Sequence, residues 1–270
     1  MRRMLSLAAA AAVFATGPAG AVPAELASYR AVFDLSLDRG GEGADADVAG
    51  RMAVEFTGSR CAGYKSTMRL VTGGENSDGD TQVTDARTLT VESPDGRFEF
   101  TNQTYLNEQL TEEAVGTAVR GSNGIDVKLT KPSEKSFTLD GTVAFPTEQM
   151  NRLLDAARSG EHFVTMDVFD GSQTGDVVYS TATVISNESQ ATDDLGNEKL
   201  IGDKGIAALP HWPLTVSYFE KTKGTDDLPA YVMSFVTYEN GIGRKLKIDY
   251  GKFSLVGKLT HLDVLPTPAC

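Results

Sequence analysis

The chain has 270 residues and is acidic, with 37 Asp and Glu against 25 Lys and Arg and a formal net charge of −12. A surface of that sign repels phosphate backbones and anionic headgroups at long range, which removes nucleic acids and charge-driven membrane binding from the candidate partners. The length fits one large all-β domain or two small ones, with enough chain to bury a substantial core.

At the N-terminus, Arg2 and Arg3 precede an uncharged run from Met4 to Phe14 rich in Leu and Ala. Thr16-Gly17-Pro18 then breaks the run, and Ala19-Gly20-Ala21 supplies the small residues that signal peptidase reads. The pattern predicts a secretory signal peptide over 1–21 and a mature chain over 22–270, whose charge becomes −14 when the two arginines leave (−12 minus 2). The apolar run is shorter than the ~20 residues a spanning helix needs, and no later segment is long and apolar enough to span. No cysteine follows the small residues to take a lipid. The expected destination is the periplasm of a Gram-negative bacterium.

From Tyr29 onward the dominant signal is alternation with a period of two, the mark of half-buried strands. Tyr29, Ala31, Phe33, Leu35 and Leu37 form one face of a first strand. The pattern returns in Met52, Val54 and Phe56, in Tyr64, Met68 and Leu70, in Leu89 and Val91, in Phe98 and Phe100, in Ile125, Val127 and Leu129, and in Phe137 and Leu139. Between these runs lie the turn signals Arg39 to Gly43, Gly73 to Gly79, Ser93-Pro94-Asp95-Gly96 and Gly121-Ser122-Asn123-Gly124. Strands joined in this way predict an antiparallel meander. The large side chains Phe33, Phe56, Phe98, Phe100, Phe163, Phe235 and Phe253 are assigned to its inner face.

One helix interrupts the strands, opening after Phe145-Pro146-Thr147 and closing near Ser159-Gly160. Met150, Leu153, Leu154 and Ala157 recur at i, i+3, i+4 and i+7, with Thr147 as the expected N-cap and Gly160 as the left-handed C-cap. Strands resume over 163–169, 177–185, 212–219, 231–238, 245–250 and 253–264. The polar stretch 186–209 reads as a loop or a long hairpin arm. No linker of Pro or Ser separates two folding units, so the mature chain reads as one domain.

The two cysteines, Cys61 and Cys270, are 209 residues apart. In an exported chain they read as a structural disulfide, with two buried free thiols as the alternative; the close Cys-x-x-Cys spacing of a redox pair is absent. His162, His211 and His261 are scattered and show no helical metal spacing, so each reads as a surface or hydrogen-bonded histidine. No nucleophile elbow and no phosphate-binding loop is present. Gly40-Gly41-Glu42-Gly43-Ala44-Asp45 fits the start of a calcium-binding nonapeptide, yet Asp47 replaces the anchoring apolar residue and no second copy follows, so it reads as an acidic turn. No catalytic residue, metal or cofactor is expected.

Several stretches together resemble the EipB-type periplasmic cell-envelope integrity proteins: Glu25-Leu26-Ala27-Ser28-Tyr29 through Leu37, Gly50-Arg51-Met52 with Phe56-Thr57-Gly58, Cys61-Ala62-Gly63-Tyr64, the helix from Phe145 to Gly160, Phe169-Asp170-Gly171-Ser172, Trp212-Pro213-Leu214 to Ser217-Tyr218-Phe219, and the terminal cysteine. The resemblance implies a mainly β, single-domain antiparallel β-spiral with one principal α-helix, closed by a Cys61–Cys270 disulfide and similar in architecture to lipoprotein carriers. It implies a role in envelope maintenance, with partners among periplasmic or envelope proteins, and the missing catalytic motifs make that role a non-enzymatic one.

Trp212, with Leu214, Val216 and Tyr218 on alternate positions after it, reads either as core or as the wall of an apolar groove. If the sheet curves around the helix, Met150, Leu153 and Leu154 face the same concavity, so Met150, Leu153, Leu154, Trp212 and Tyr218 form the candidate ligand site. Two functions follow: a scaffold that docks partners through sheet edges or loops, which is the favoured reading because interiors fill by default, and a carrier of a lipid, acyl chain or lipoprotein in the concave face.

Overall fold

The computed structural model describes residues 25–40, 48–75, 80–189, 198–221 and 228–270. The signal-peptide segment, the acidic turn over 41–47 and the centre of the 186–209 stretch lie outside these residues.

Eight strands come first: β1 (Tyr29–Gly40), β2 (Ala49–Ser59), β3 (Gly63–Glu75), β4 (Thr81–Glu92), β5 (Arg97–Leu106), β6 (Gln109–Gly121), β7 (Gly124–Lys131) and β8 (Lys135–Leu139). Helix α1 (Pro146–Ser159) follows, then β9 (Phe163–Val168), β10 (Tyr179–Ile185), a short helix α2 (Leu200–Asp203), a 3-10 turn (Ile206–Ala208), β11 (His211–Glu220), β12 (Tyr231–Tyr238), β13 (Gly243–Asp249) and β14 (Phe253–Val264). Among the described residues, fourteen strands form one antiparallel sheet in the order 8-7-6-5-4-3-2-1-14-13-12-11-10-9. The sheet therefore consists of two meanders joined where the first strand meets the last, and it curls without closing, as the expected β-spiral does.

The central seam shows why the alternation was readable. Ala31 and Phe33 of β1 pair with Leu262 and Leu259 of β14, and all four are buried in one core cluster. Each fully buried large aliphatic side chain contributes about 1.5–3 kcal/mol relative to exposure. At the far end, Ile125, Val127 and Leu129 of β7 pack on Phe98 and Phe100 of β5.

The two edges, β8 and β9, are the shortest strands, which limits the row of unpaired backbone groups they present. The linker from β8 into α1 covers part of the β9 edge: the Ala144 N–H donates to the Asp167 carbonyl at 2.8 Å and the Phe169 N–H donates to the Ala144 carbonyl at 2.9 Å. Ion pairs Lys135–Asp176 and Lys221–Asp167, both 2.5 Å, line the crevice that remains.

Four expectations need correction. Strand β6 was not anticipated, because its buried face is Ala114, Gly116 and Ala118, residues too small to give a hydrophobic alternation. It pairs with β5 through a two-residue turn at Asn107 and Glu108, whose φ values of 47° and 67° are those of the hairpin turn that matches strand twist. Thr147 is not the N-cap of α1. Phe145 holds that position with Pro146 as the first helical residue, whose fixed φ suits the start and whose missing N–H costs nothing there. Gly160 does close the helix in the left-handed region, at φ 76°.

The polar stretch after β10 is not simply a loop. Ile201 of α2 and Ile206 of the 3-10 turn are buried in the central core. Glu198 fastens the insertion by accepting the N–H groups of Lys245 and Leu259 at 3.1 and 3.4 Å. Finally, Phe163 is 58% exposed, since on β9 the inward positions are Val164, Met166 and Val168.

Candidate binding cavity

Curling brings one stretch of the inner face of β1 to β5 opposite β10, β12 and the start of α1, and a half-open cavity of about 450 Å³ lies between them. That volume is within the range of small-molecule sites. It has room for roughly fifteen waters or an organic ligand of similar heavy-atom count.

One wall is polar and, apart from Glu92 at its end, uncharged. Ser66 of β3 stands opposite Thr90 of β4, and Thr88 of β4 opposite Asn102 of β5, so their short side chains adjoin on the inner face. This inverts the reading of β4 from its sequence. Leu89 is 38% exposed on the outer face, while Ala86, Thr88, Thr90 and Glu92 take the inward parity. A strand that fronts a space instead of a packed core has no requirement for large apolar side chains on that face.

The facing wall is aromatic. Tyr231 of β12 stacks on Tyr218 with ring centroids 4.4 Å apart, and Tyr179 of β10 meets both edge-on at 5.8 Å. Tyr29 and Phe56, 6.0 Å apart, continue the surface across β1 and β2, and Met68 and Met150 add adaptable apolar contacts.

The β9–β10 connection crosses the interior. Gly171 lies against the Phe100 ring so closely that a Cβ would fall 2.3 Å from its Cγ, and its φ of 67° is one that glycine adopts without strain. Asn102 Nδ2 donates to the Gly171 carbonyl at 2.7 Å, Asp170 Oδ1 accepts the Ser172 N–H at 2.9 Å, and Gln173 Nε2 donates to the Tyr179 hydroxyl at 2.6 Å. These bonds hold Asp170, Ser172 and Gln173 at the cavity wall.

Glu92 ends β4 at the first turn of α1, where Oε1 accepts the Thr147 N–H at 2.7 Å. The carboxylate thus occupies the anion-favouring end of the helix. Burial pushes the Glu92 carboxyl up to about 7, against the bond from Thr147, which holds it down. Burial likewise raises Asp170 and pushes Tyr29 up to about 12, and Tyr179 and Tyr231 move the same way. The interior disfavours negative charge at every one of these groups. Among the described residues, no Lys, Arg or His lines the cavity.

The floor is the segment before β1. Leu26 and Ala27 line the cavity, with the Ala27 N–H donating to the Asn240 carbonyl at 2.9 Å. Ser28 is tied to β2 through Gly58, whose N–H donates to its hydroxyl at 3.1 Å, and to the C-terminal tail, where the Leu265 N–H donates to its carbonyl at 2.8 Å. The tail ends at Cys270, which is joined to Cys61 in the β2–β3 turn with Cα atoms 5.4 Å apart. The disulfide therefore clamps the strip of chain that underlies the site.

Of the five residues nominated from sequence, Met150 lines the cavity and Tyr218 stands directly behind it in the tyrosine stack. Leu153, Leu154 and Trp212 do not line the cavity; they are buried in the cluster where α1 packs on Ile185, Leu214 and Val216, which meets the cavity through Leu26, Phe56 and Met150. The apolar stripe of the helix is consumed by that packing, and only its first turns reach the space. Glu92, Asn102, Asp170 and Tyr231 were missed. The alternation read from sequence puts Leu89 and Val91 inward and Glu92 outward, so only the registers with β3 and β5 place this carboxylate inside. The three histidines each have a partner: His162 and His211 face the Ile185 and Leu209 carbonyls, and His261 faces Asp263.

A family model described as EipB-like matches residues 20–266. The chain belongs to the EipB-like family. The cell envelope integrity protein EipB of Brucella abortus (strain 2308) is 38% identical over 272 residues, covering 98% of this chain and 95% of that protein. A crystal structure of a beta-barrel-like protein of a domain of unknown function, DUF1849, also from Brucella abortus, superposes with a TM-score of 0.84 at 37% identity. It covers 90% of this chain and all of that one, so the EipB-like fold extends over nearly the whole sequence.

Proposed function

We propose that this chain supports cell-envelope integrity from the periplasm, as a non-enzymatic protein that holds a small amphiphile inside its curled sheet. The envelope role rests on membership of the EipB-like family and on the name of the Brucella relative. The observation that carries the binding role is the inverted β4 wall: Thr88, Thr90 and Glu92 face a space of about 450 Å³ while Leu89 faces out. A strand spent in this way lowers core burial, and tyrosines opposite short hydroxyl side chains suit a ligand with both apolar and hydrogen-bonding parts. This favours the carrier over the scaffold reading. The edge strand β9 with its exposed Phe163 is the feature that speaks for partner docking in addition.

The test is native mass spectrometry of protein recovered from the periplasm under mild conditions, alongside the cavity-narrowing variant Thr88→Phe. Phenylalanine keeps strand propensity while narrowing the space beside Thr90 and Asn102. The wild type should carry an extractable amphiphile that the variant lacks. Identical bare masses for both would remove the binding role.

A further inference from the structure

Resting on that reading, we infer that the cavity is built for an uncharged amphiphile, one whose polar end carries hydroxyl or amide groups, and that it rejects carboxylate, sulfate and phosphate ends. Two observations carry this. The first is the lining itself, where the polar atoms belong to hydroxyls, amides and the carboxyls of Glu92 and Asp170, with no basic side chain among the described residues. A buried anion with no cationic partner costs several kcal/mol in lost solvation, and carboxylates nearby add repulsion. The second is the fate of the single anion-favouring feature. The first turn of α1 opens on the cavity through Pro146 and Thr147, and its donor at Thr147 is already taken by Glu92 at 2.7 Å. The protein supplies its own anion there, which takes the Thr147 N–H that an incoming anion would otherwise use and adds its own repulsion.

Hydroxyls and amides, in contrast, match what remains. Ser66, Thr88, Thr90 and Asn102 offer groups that donate and accept, and Tyr231 and Phe56 offer ring faces to the apolar portion.

The discriminating experiment is calorimetric titration of ligand-stripped protein at about pH 8 with two probes of equal chain length, 1-monooctanoylglycerol and octyl sulfate. Octyl sulfate stays anionic throughout. The uncharged probe should bind at least about tenfold more tightly, a margin well above the error of such affinities. Equal or tighter binding of octyl sulfate overturns this inference and leaves the carrier reading standing. Binding of neither probe overturns the carrier reading beneath it. Glu92→Gln, which removes the charge and keeps the shape, should narrow the ratio between the probes by several-fold. An unchanged ratio in a folded Glu92→Gln protein removes Glu92 as the source of the selectivity.

Discussion

Removing the Cys61–Cys270 bond by the double substitution Cys61→Ser and Cys270→Ser tests how the sheet is held. The loop closed by the bond spans 209 residues. Chain-entropy reasoning gives about 5 kcal/mol for a loop of that size, through the freedom the reduced unfolded chain regains. The native cost is small by comparison, because β1 and β14 remain paired from Tyr29↔Val264 to Gly40↔Phe253 and the tail beyond Val264 is held by few bonds. For a chain of this size each kcal/mol moves the melting temperature by about 2–4 °C, so the full effect is about 10–20 °C. Thermal melting followed by circular dichroism, oxidised wild type against the double variant, should show that drop with the starting spectra superimposable. Hydrogen exchange should quicken at Leu26 to Tyr29, the floor of the cavity. Coincident melting curves would refute the reasoning, because they would mean that the unfolded chain gains no freedom when the loop is opened.

Gly171→Ala places a methyl group within 2.3 Å of the Phe100 ring at a positive φ, and should destabilise the protein by about 1–3 kcal/mol in urea unfolding while weakening ligand binding, as Asp170 and Ser172 shift with the loop. Ile201→Ala leaves a hole in the central core and should cost about 2–5 kcal/mol, with an exposed surface loop giving no measurable change as the opposing result. The Glu92 carboxyl keeps its proton up to about pH 7 in the fold but loses it near the ordinary carboxylate value when unfolded. The folded chain therefore binds the extra proton in that window, and this group's contribution to stability declines as pH rises through it. Glu92→Gln lacks that decline, so its urea midpoint should gain on wild type between about pH 4.5 and pH 7; parallel profiles would show that the carboxyl is not buried in this way.

How far the sequence could be read depended on what each strand faces. The runs at Tyr29–Leu37 and Ile125–Leu129 were legible because one face meets a packed core and must be large and apolar. Strand β6 escaped because close packing against Phe100 and Leu129 demands a residue as small as Gly116. On β4 the alternation read from sequence lies on the opposite face, since Leu89 and Val91 point outward and the inward face fronts a cavity. That inversion is a clue to a site, but it is visible only once the registers with β3 and β5 place Thr88 and Thr90 inside. Ile201 and Ile206 lie within a polar stretch, where two isolated apolar residues give no periodicity. The helix was found correctly, and its face was assigned to the concavity when most of that face is taken up by Trp212, Leu214 and Val216. Distant residues that meet only through curling, such as Glu92 with Thr147 and Asn102 with Gly171, left no local trace.

Under the proposed function, the hollow is the working part of the molecule. In a strain lacking the gene, cells expressing either the wild type or the folded Thr88→Phe variant at equal level can be challenged with deoxycholate and scored for survival. The Thr88→Phe variant should protect no better than the empty vector. Full protection by a variant shown to be folded and unable to hold a ligand would contradict it.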